Sequence, residues 1–344
     1  MISYPQLQLQ LKQGNYAPLY FLYGEEPYYI DLVADYLEEH VLDAMSREFD
    51  LTIVYGKDYE RDLSPVIFAA RRYPMMGQKQ LIIVKEAQSI RNWSALALYL
   101  EQMMSSTVLV FCYKYGAPAM RKSVFADIEK KGGVMMESPK LRNNQIQKWI
   151  MDYIRQYNMS KGTGIRIDER ISALLAESLG NDLQKIVSEL QRLTVGLPQG
   201  VTLIDADVVQ RNIGISKDYN IFELESALID GDVLKANRIV TYFADSKQHP
   251  IQKEIVPLFN FFSNLLLYLY LPKEQKDELT VASILKVHRY FVKDYQRAAM
   301  RFTKGKTFRI IGYIRRADVR SKGFNNPSVT ESEIWKELIY QIMH

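Results

Sequence analysis

The first residues whose types and spacing could do chemistry lie between an apolar strand and a helix. The strand Leu19–Tyr23 runs into Gly24, and a helical pattern begins at Tyr28, which is where a nucleotide-binding protein places its phosphate-binding P-loop. Compared with G-x-x-x-x-G-K-[ST], however, the residue types are wrong. The second glycine, the lysine and the Mg²⁺-binding hydroxyl are replaced by Tyr29, Ile30 and Asp31.

Phosphate binding at this turn is opposed by its remaining residues as well. A P-loop holds phosphate with free backbone N–H groups, a lysine and a helix N-terminus. Pro27 has no N–H to donate, and Glu25 and Glu26 place negative charge where phosphate would lie. Carboxylates suit a helix N-terminus, so we expect them to cap the helix themselves. An ordinary strand–turn–helix unrelated to nucleotides is the alternative interpretation.

A second expected position has also lost its chemistry. In P-loop ATPases a later core strand ends in an acidic residue that holds Mg²⁺. Here the apolar strand Leu81–Val84 is followed by Lys85, and a lysine cannot bind a divalent cation. The alternative is that the strand ends in charge merely because it leaves the core. We therefore predict a degenerate site that binds no nucleotide, formed by Gly24, Tyr29, Ile30, Asp31 and Lys85.

Composition limits the class of protein. The chain has 344 residues, 47% hydrophobic and 24% charged, which is ordinary for a globular protein of two or three domains. Cys112 is the single cysteine, so an internal disulfide is excluded and a reducing cytoplasm is indicated. No apolar run approaches the roughly 20 residues of a membrane helix, and no signal peptide is visible. The four histidines show no metal-ligand spacing. We expect a cytoplasmic protein with no metal and no cofactor.

Strand and helix patterns divide the chain into three predicted domains. Up to Ser138-Pro139, strands alternate with helices, which predicts an α/β domain with a mainly parallel sheet. Beyond it the β-rich runs disappear and helical periods follow. We expect an α/β domain at 1–140, a small helical domain at 141–212 and an all-α domain at 213–344.

Three stretches, in this order and spacing, resemble one known family. They are Leu19–Tyr28, Leu179–Leu193, and Phe222–Ala227 with Gly231-Asp232 and Ala236. The chain resembles the delta subunit family of the bacterial DNA polymerase III clamp loader. The resemblance implies an AAA+-like fold without ATPase activity and a subunit that opens the sliding clamp. It also implies the partners: the clamp (beta subunit), the gamma/tau and delta prime subunits bound through a C-terminal collar domain, and primed DNA. No catalysis of its own is expected, although the polymerase III holoenzyme is a DNA-directed DNA polymerase.

A loop before the strand at Leu81 is the predicted clamp-binding site. Met75 and Met76 lie between Pro74 and Gly77, and a proline and a glycine favour a projecting turn with an apolar tip. Methionine is flexible and adapts to another protein's pocket. In the family the matching loop carries two large apolar residues that wedge into the clamp, often Leu-Phe, so the methionine pair is a departure. Tyr73 flanks the pair. The alternative is that both methionines pack back on their own domain.

A basic stretch near the C-terminus is the second candidate surface. A spacing of four predicts that Arg289, Lys293, Arg297 and Arg301 share one helix face, and a similar stripe on the next helix is formed by Arg309, Arg316 and Arg320; together we call them the basic face. This face could contact DNA phosphates or an acidic partner, and a solvated helix face is the alternative. A stand-alone DNA-binding protein with an inactive AAA+-like domain is the runner-up function.

Overall fold

The computed structural model describes residues 2–119, 123–198, 200–213, 215–216, 218–246, 249–324 and 329–344. They form two compact units. The α/β unit comprises Met1–Arg142 with Asn181–Gln184, and the helical unit comprises Asn143–Gly180 with Lys185–His344. The predicted division into domains 1–140, 141–212 and 213–344 stays a prediction.

The α/β unit is built on a five-stranded sheet in the order β2-β3-β4-β1-β5, with every neighbouring pair parallel. The predicted mainly parallel sheet is confirmed. The strands are β1 (Leu19–Gly24), β2 (Leu51–Tyr55), β3 (Gln80–Lys85), β4 (Thr107–Lys114) and β5 (Val134–Glu137). Strands β1, β3 and β4 are buried along nearly their whole length, as expected for continuous apolar runs in a parallel sheet covered on both faces.

Six helices accompany the sheet among the described residues: α1 (Tyr4–Lys12), α2 (Pro27–His40), α3 (Ala44–Asp50), α4 (Ser64–Ala70), α5 (Ser94–Glu101) and α6 (Ser123–Lys130). The start of the helix predicted at Met120–Lys130 lies outside the described residues. Helix α3 was not predicted. The strand pattern indicated β2 from Asp50 onward, whereas Asp50 is the last residue of α3.

The parallel sheet separates the two candidate regions of this unit. The turn after Gly24 lies at the carboxyl end of β1, Lys85 is the last residue of β3, and β4 lies between these two strands. The Met75–Met76 loop precedes β3, so it lies at the opposite edge. With six residues in β3 and about 3.3 Å per residue, the two edges are roughly 20 Å apart.

In the helical unit, described residues between Ile221 and Met343 form an extensive apolar core, to which helix α13 (Ile251–Tyr270) contributes buried residues on successive turns. The other helices are α7 (Asn143–Lys161), α8 (Glu169–Leu179), α9 (Leu183–Val195), α10 (Ala206–Ile213), α11 (Ile221–Asp230), α12 (Val233–Asp245), α14 (Glu278–Leu285), α15 (Val292–Arg301), α16 (Lys304–Ser321) and α17 (Glu331–Met343).

Three features of this unit differ from expectation. Two short strands, β6 (Arg166–Ile167) and β7 (Leu203–Ile204), pair in parallel where no strand was expected. Helix α7 continues to Lys161, into the stretch Tyr157–Ile165 whose two glycines predict a joining loop, and α14 lies where the sequence pattern predicts no helix. The helix expected from Tyr290 begins at Val292, after a 3-10 turn at Arg289–Phe291.

Candidate functional site

The loop between α4 and β3 presents a projecting apolar tip. Met75 is 65% exposed, Met76 59% and Tyr73 78%. Neither methionine packs back into the core of its own unit. Large apolar side chains held in water are informative when they cluster, because such a cluster marks an interaction surface.

The backbone of this tip is held by one buried carboxylate. Asp50 is 4% exposed and accepts hydrogen bonds from three consecutive backbone N–H groups. Oδ1 accepts from Met75 at 2.5 Å, and Oδ2 accepts from Met76 at 3.0 Å and from Gly77 at 2.8 Å. Successive N–H groups that converge in this way form an anion-binding concavity. In this protein the anion is a side chain of the neighbouring helix.

The position of Asp50 follows from the sheet. Asp50 directly precedes β2, and β2 pairs with β3 in a register that places Leu51 opposite Leu81. Asp50 therefore lies beside Gln80, where the loop enters β3. Burial raises the pKa of the Asp50 carboxyl, but the three N–H donors outweigh this effect, and the pKa lies below its ordinary value. The sequence does not predict this role of Asp50, because the N–H groups that it accepts from are 25 to 27 residues away.

The base of the loop is also fixed. The Gln80 side-chain amide donates to the carbonyl oxygens of Ala69, at 3.1 Å, and Arg72, at 2.6 Å. The Thr107 hydroxyl donates to the carbonyl of Ala70 at 2.8 Å. These donors satisfy carbonyl groups at the C-terminal end of α4, which a helix leaves without internal partners. These hydrogen bonds thus fix the direction in which the loop leaves α4.

The flanking cations of the loop contact its own unit. The Arg71 guanidinium donates to the carbonyl of Leu98 at 2.8 Å, and the Lys79 ammonium donates to the carbonyl of Ser105 at 3.1 Å. Their charges remain beside the tip, because both contacts are to neutral groups.

At the opposite edge of the sheet, the turn after β1 is closed by the protein itself. Ser138 donates its backbone N–H to Tyr23, accepts from the N–H of Glu26 at 3.0 Å, and donates its hydroxyl to the Glu26 carbonyl at 2.6 Å. Gly24 has φ +147°, and a Cβ there would lie 2.0 Å from the Ser138 carbonyl oxygen. Only glycine fits this approach.

The start of α2 is capped by a carboxylate, as predicted. Glu26 accepts from the N–H of Tyr28 at 3.0 Å, and Pro27 follows it at the first helical position. Burial raises the pKa of Glu26, although the Tyr28 hydrogen bond opposes the rise. The N–H groups of Glu26 and Tyr28, which could face a phosphate, therefore have internal partners.

The residues at the lysine, magnesium and second-glycine positions of a P-loop have structural contacts. Ile30 is fully buried, and the Tyr29 ring lies 4.6 Å from that of Tyr4. The Asp31 carboxylate pairs with the Lys114 ammonium at 2.6 Å. Lys114 ends β4 in register with Gly24, so its ammonium occupies the edge where an ATPase would hold a metal ion.

Lys85 also lies in this charged group. Burial raises the pKa of Asp35, the neighbouring Asp31 adds to the rise, and Lys85 opposes it. Among the described residues, no group of three histidine, cysteine or acidic side chains gathers that could hold a metal ion.

The basic residues of the helical unit fall into two sets. Arg297 pairs with Asp230 and with Asp294, and Arg320 pairs with Glu337 at 2.5 Å. The residues of the other set are exposed: Arg289, Lys293, Arg301, Arg309 and Arg316. Arg289 lies in the 3-10 turn before α15, and the Arg316 guanidinium lies 5.0 Å from the Tyr313 ring. Tyr295 and Phe302, interleaved with this face, are buried in the core.

Family models match both ends of the chain. The model of the DNA polymerase III delta subunit matches residues 20–138, and the model of the C-terminal domain of the same subunit matches residues 218–333. The chain belongs to the DNA polymerase III delta subunit family. The residues matched at the N-terminal end include both the Gly24 turn and the Met75–Met76 tip.

Individual relatives of the delta subunit family agree. The DNA polymerase III subunit delta of Bacillus subtilis is 27% identical over 296 residues, which are 82% of this chain and 81% of the relative. The structure of the B. subtilis clamp loader delta protein YqeN matches with a TM-score of 0.51 and 23% identity over 99% of both chains. RuvB from Thermotoga maritima matches with a TM-score of 0.34 and 10% identity over 86% of this chain and 83% of that one.

The fold expected of the family is confirmed. The α/β unit has a parallel sheet in which β1 lies between β4 and β5, most of the helical unit comes after it in the sequence, and the fold is similar to that of the B. subtilis clamp loader delta protein. Within the part of the chain that the structure describes, no helix has both the length and the apolar character needed to cross a membrane.

Proposed function

We propose that this chain is the non-ATPase delta subunit of a DNA polymerase III clamp loader, and that it binds and opens the sliding clamp through Met75 and Met76. The carrying observation is the tip itself. Two adjacent methionines are held in water on a backbone that Asp50 ties down by three hydrogen bonds. The relatives named DNA polymerase III subunit delta and DNA clamp loader delta protein support the assignment.

Opening of the clamp follows from differential binding. A rigid apolar wedge shifts a ring toward its open state if it binds that state better than the closed one. The energy comes from apolar burial at the tip, so the wedge needs no nucleotide of its own. Nucleotide hydrolysis belongs to other subunits of the assembly in this proposal.

The absence of nucleotide binding is part of the same proposal. Ser138 and Glu26 use the N–H groups of the turn, Ile30 fills the lysine position with a buried side chain, and Lys114 pairs with Asp31. These contacts support a scaffold kept for its shape. A nucleotide-binding assay that detects Mg-ATP at micromolar affinity would contradict this part of the proposal and would favour an active P-loop ATPase.

The helical unit binds the remaining partners in this proposal. Its C-terminal helices would hold the gamma/tau and delta prime subunits, and the exposed cations Lys293, Arg309 and Arg316 would approach the phosphates of primed DNA. The ion pairs of Arg297 and Arg320 favour a structural role for these two residues. The B. subtilis relative, a replication protein by its name, supports a cytoplasmic location.

The test is complex formation with the sliding clamp of the same organism, without nucleotide, by gel filtration. We expect the wild-type chain to elute with the clamp and the Met75→Ala/Met76→Ala variant to elute separately. The matched control is Met159→Ala/Met300→Ala, because these methionines are 81% and 83% exposed on the helical unit. Loss of the complex in the control as well, or its survival in the tip variant, would contradict the assignment. DNA binding by the isolated chain without any clamp complex would favour the runner-up function.

A further inference from the structure

We propose that Asp50 is a positioning residue for the clamp-binding tip: its carboxylate, together with Ser46, holds the backbone of Met75–Gly77 in the binding conformation before the partner arrives. The inference rests on the proposed function of the tip and names what makes this loop competent to perform it. Asp50 touches no partner itself, and it acts through the two methionines.

The first observation is the geometry of the hydrogen bonds. Both carboxylate oxygens are used, and the three donors are consecutive, which leaves the loop backbone little freedom at these residues. Because the backbone N–H groups point inward at Asp50, the side chains of Met75 and Met76 are left facing water. The same contact thus accounts for the order of the backbone and for the exposure of the side chains.

The second observation is the close approach of the loop to α3. A Cβ built on Gly77 would lie 2.7 Å from the Ser46 hydroxyl oxygen and 3.1 Å from the Ser46 Cβ. Ser46 and Asp50 are four residues apart and lie on one face of α3. Ser46 is buried, so the end of the tip rests directly against the helix. A side chain at residue 77 would therefore press on the Ser46 side chain, which would have to shift.

The third observation is charge. Asp50 is the anion that three convergent N–H dipoles require, and these bonds lower its pKa in spite of burial. An uncharged side chain would leave N–H groups of the tip without a full partner. The charged side chains that flank the loop, Arg71 and Lys79, are cations that contact carbonyl groups, so they offer no acceptor to these N–H groups.

Ordering the tip in advance removes part of the entropy cost of binding. A loop whose backbone must be fixed on association binds more weakly, because each residue that is ordered costs conformational entropy. If Asp50→Asn releases one or two residues of the tip, we expect clamp affinity to fall roughly 10- to 100-fold. The Asp50→Asn variant should also associate with the clamp more slowly, because a smaller fraction of its molecules has the tip in the binding conformation.

The test compares Asp50→Asn with Asp43→Asn. Asp43 makes the matched control, since it lies at the start of the same helix and accepts from the N–H groups of Met45 and Ser46, without contacting the tip. We expect Asp43→Asn to bind the clamp as the wild type does. Backbone hydrogen exchange is measured in both variants. For Asp50→Asn we expect faster exchange at Met75, Met76 and Gly77, and unchanged exchange in β1 and β3.

A rescue experiment separates positioning from general destabilisation. In Asp50→Asn/Ser46→Cys/Gly77→Cys, a disulfide can replace the lost contact, because the two Cβ positions are 3.1 Å apart and need to shift by only a few tenths of an ångström. Cys112 is buried and does not interfere. We expect the oxidised triple variant to recover most of the clamp affinity and the reduced one to stay weak.

The outcomes distinguish the two levels of the proposal. If Met75→Ala/Met76→Ala loses the clamp but Asp50→Asn binds normally, the tip assignment stands and the positioning role of Asp50 is refuted. If the methionine variant binds normally, the proposed function fails whatever Asp50 does. Equal weakening of Asp50→Asn and Asp43→Asn, with exchange raised throughout the unit, would also overturn the positioning role.

Discussion

The energy that two methionines can contribute to clamp binding follows from their exposure. Full burial of a methionine side chain is worth about 1.5–3 kcal/mol relative to water. Met75 and Met76 expose 65% and 59% of their surface, so complete burial on a partner adds about 1–2 kcal/mol each. We expect each single alanine variant to weaken clamp binding roughly 5- to 30-fold, and the double variant roughly 30- to 900-fold.

A graded series makes this expectation specific. Met→Leu at either position conserves volume and should cost less than about 1.5 kcal/mol, or roughly tenfold in affinity. The dissociation constant should therefore increase from the wild type to the leucine variants, then to the single alanine variants and finally to the double alanine variant. The losses should appear mainly in the dissociation rate, since related complexes differ little in association.

The assay is titration calorimetry or surface-immobilised clamp binding at one fixed salt concentration, with thermal unfolding of every variant as a control for folding. The tip side chains are exposed, so we expect unchanged unfolding temperatures. A double alanine variant that folds normally and binds within threefold of wild type would refute the wedge. A loss that is equally large for leucine and alanine would mean that shape, and not apolar area, determines binding.

Other consequences concern the scaffold and the basic face. Gly24→Ala should destabilise the chain by about 2–4 kcal/mol, measured by urea unfolding, because its Cβ would collide with the Ser138 carbonyl. Ile30→Lys restores the P-loop lysine, but it should unfold more readily because Ile30 is fully buried. Calorimetry should still detect no binding of Mg-ATP. Binding of Mg-ATP by a folded Ile30→Lys variant would show that a single residue prevents nucleotide binding. Arg309→Ala should reduce the salt dependence of DNA binding by about one unit of the log–log slope. Arg297→Ala, whose guanidinium is ion-paired, should leave that slope unchanged.

The sheet was predictable because its signal is local. Each buried parallel strand is a continuous apolar run bounded by breaking residues, so β1, β3 and β4 can be read from the sequence. The exposed tip was predictable for the same reason, since Pro74 and Gly77 exclude regular structure on either side of the methionines.

The organisation of the tip was not predictable, because it depends on a long-range contact. Asp50 stands next to the apolar pattern of β2, which assigns it to a strand, and α3 is a helix of seven residues with little apolar periodicity. The usable signal was Asp43, an N-cap residue ahead of a short run of helix formers. A helix beginning there would have placed Ser46 and Asp50 on one face, but not beside residue 77.

The basic face shows the same limit. A spacing of four predicted that Arg289, Lys293 and Arg297 share a helix face, yet Arg289 lies in a 3-10 turn that His288 begins by accepting from the N–H of Tyr290. The ion pair of Arg297 with Asp230 spans 67 residues and has no local signal. Charge spacing therefore locates a basic surface without showing which of its charges are available.

At both edges of the sheet, backbone N–H groups of a loop donate to acceptors of the protein itself. At the carboxyl edge, Ser138 and the Glu26 carboxylate take the donors that a P-loop would offer to phosphate. At the amino edge, Asp50 takes three donors that would otherwise form an anion site. In both places a group of the protein itself occupies the position of a ligand. The first arrangement closes a nucleotide site, and the second converts a loop into a rigid support for two apolar side chains. Both arrangements use partners that are distant in the sequence, at 25 to 27 residues for Asp50 and 112 residues for Ser138 and Glu26, and the parallel sheet brings these partners to the two edges.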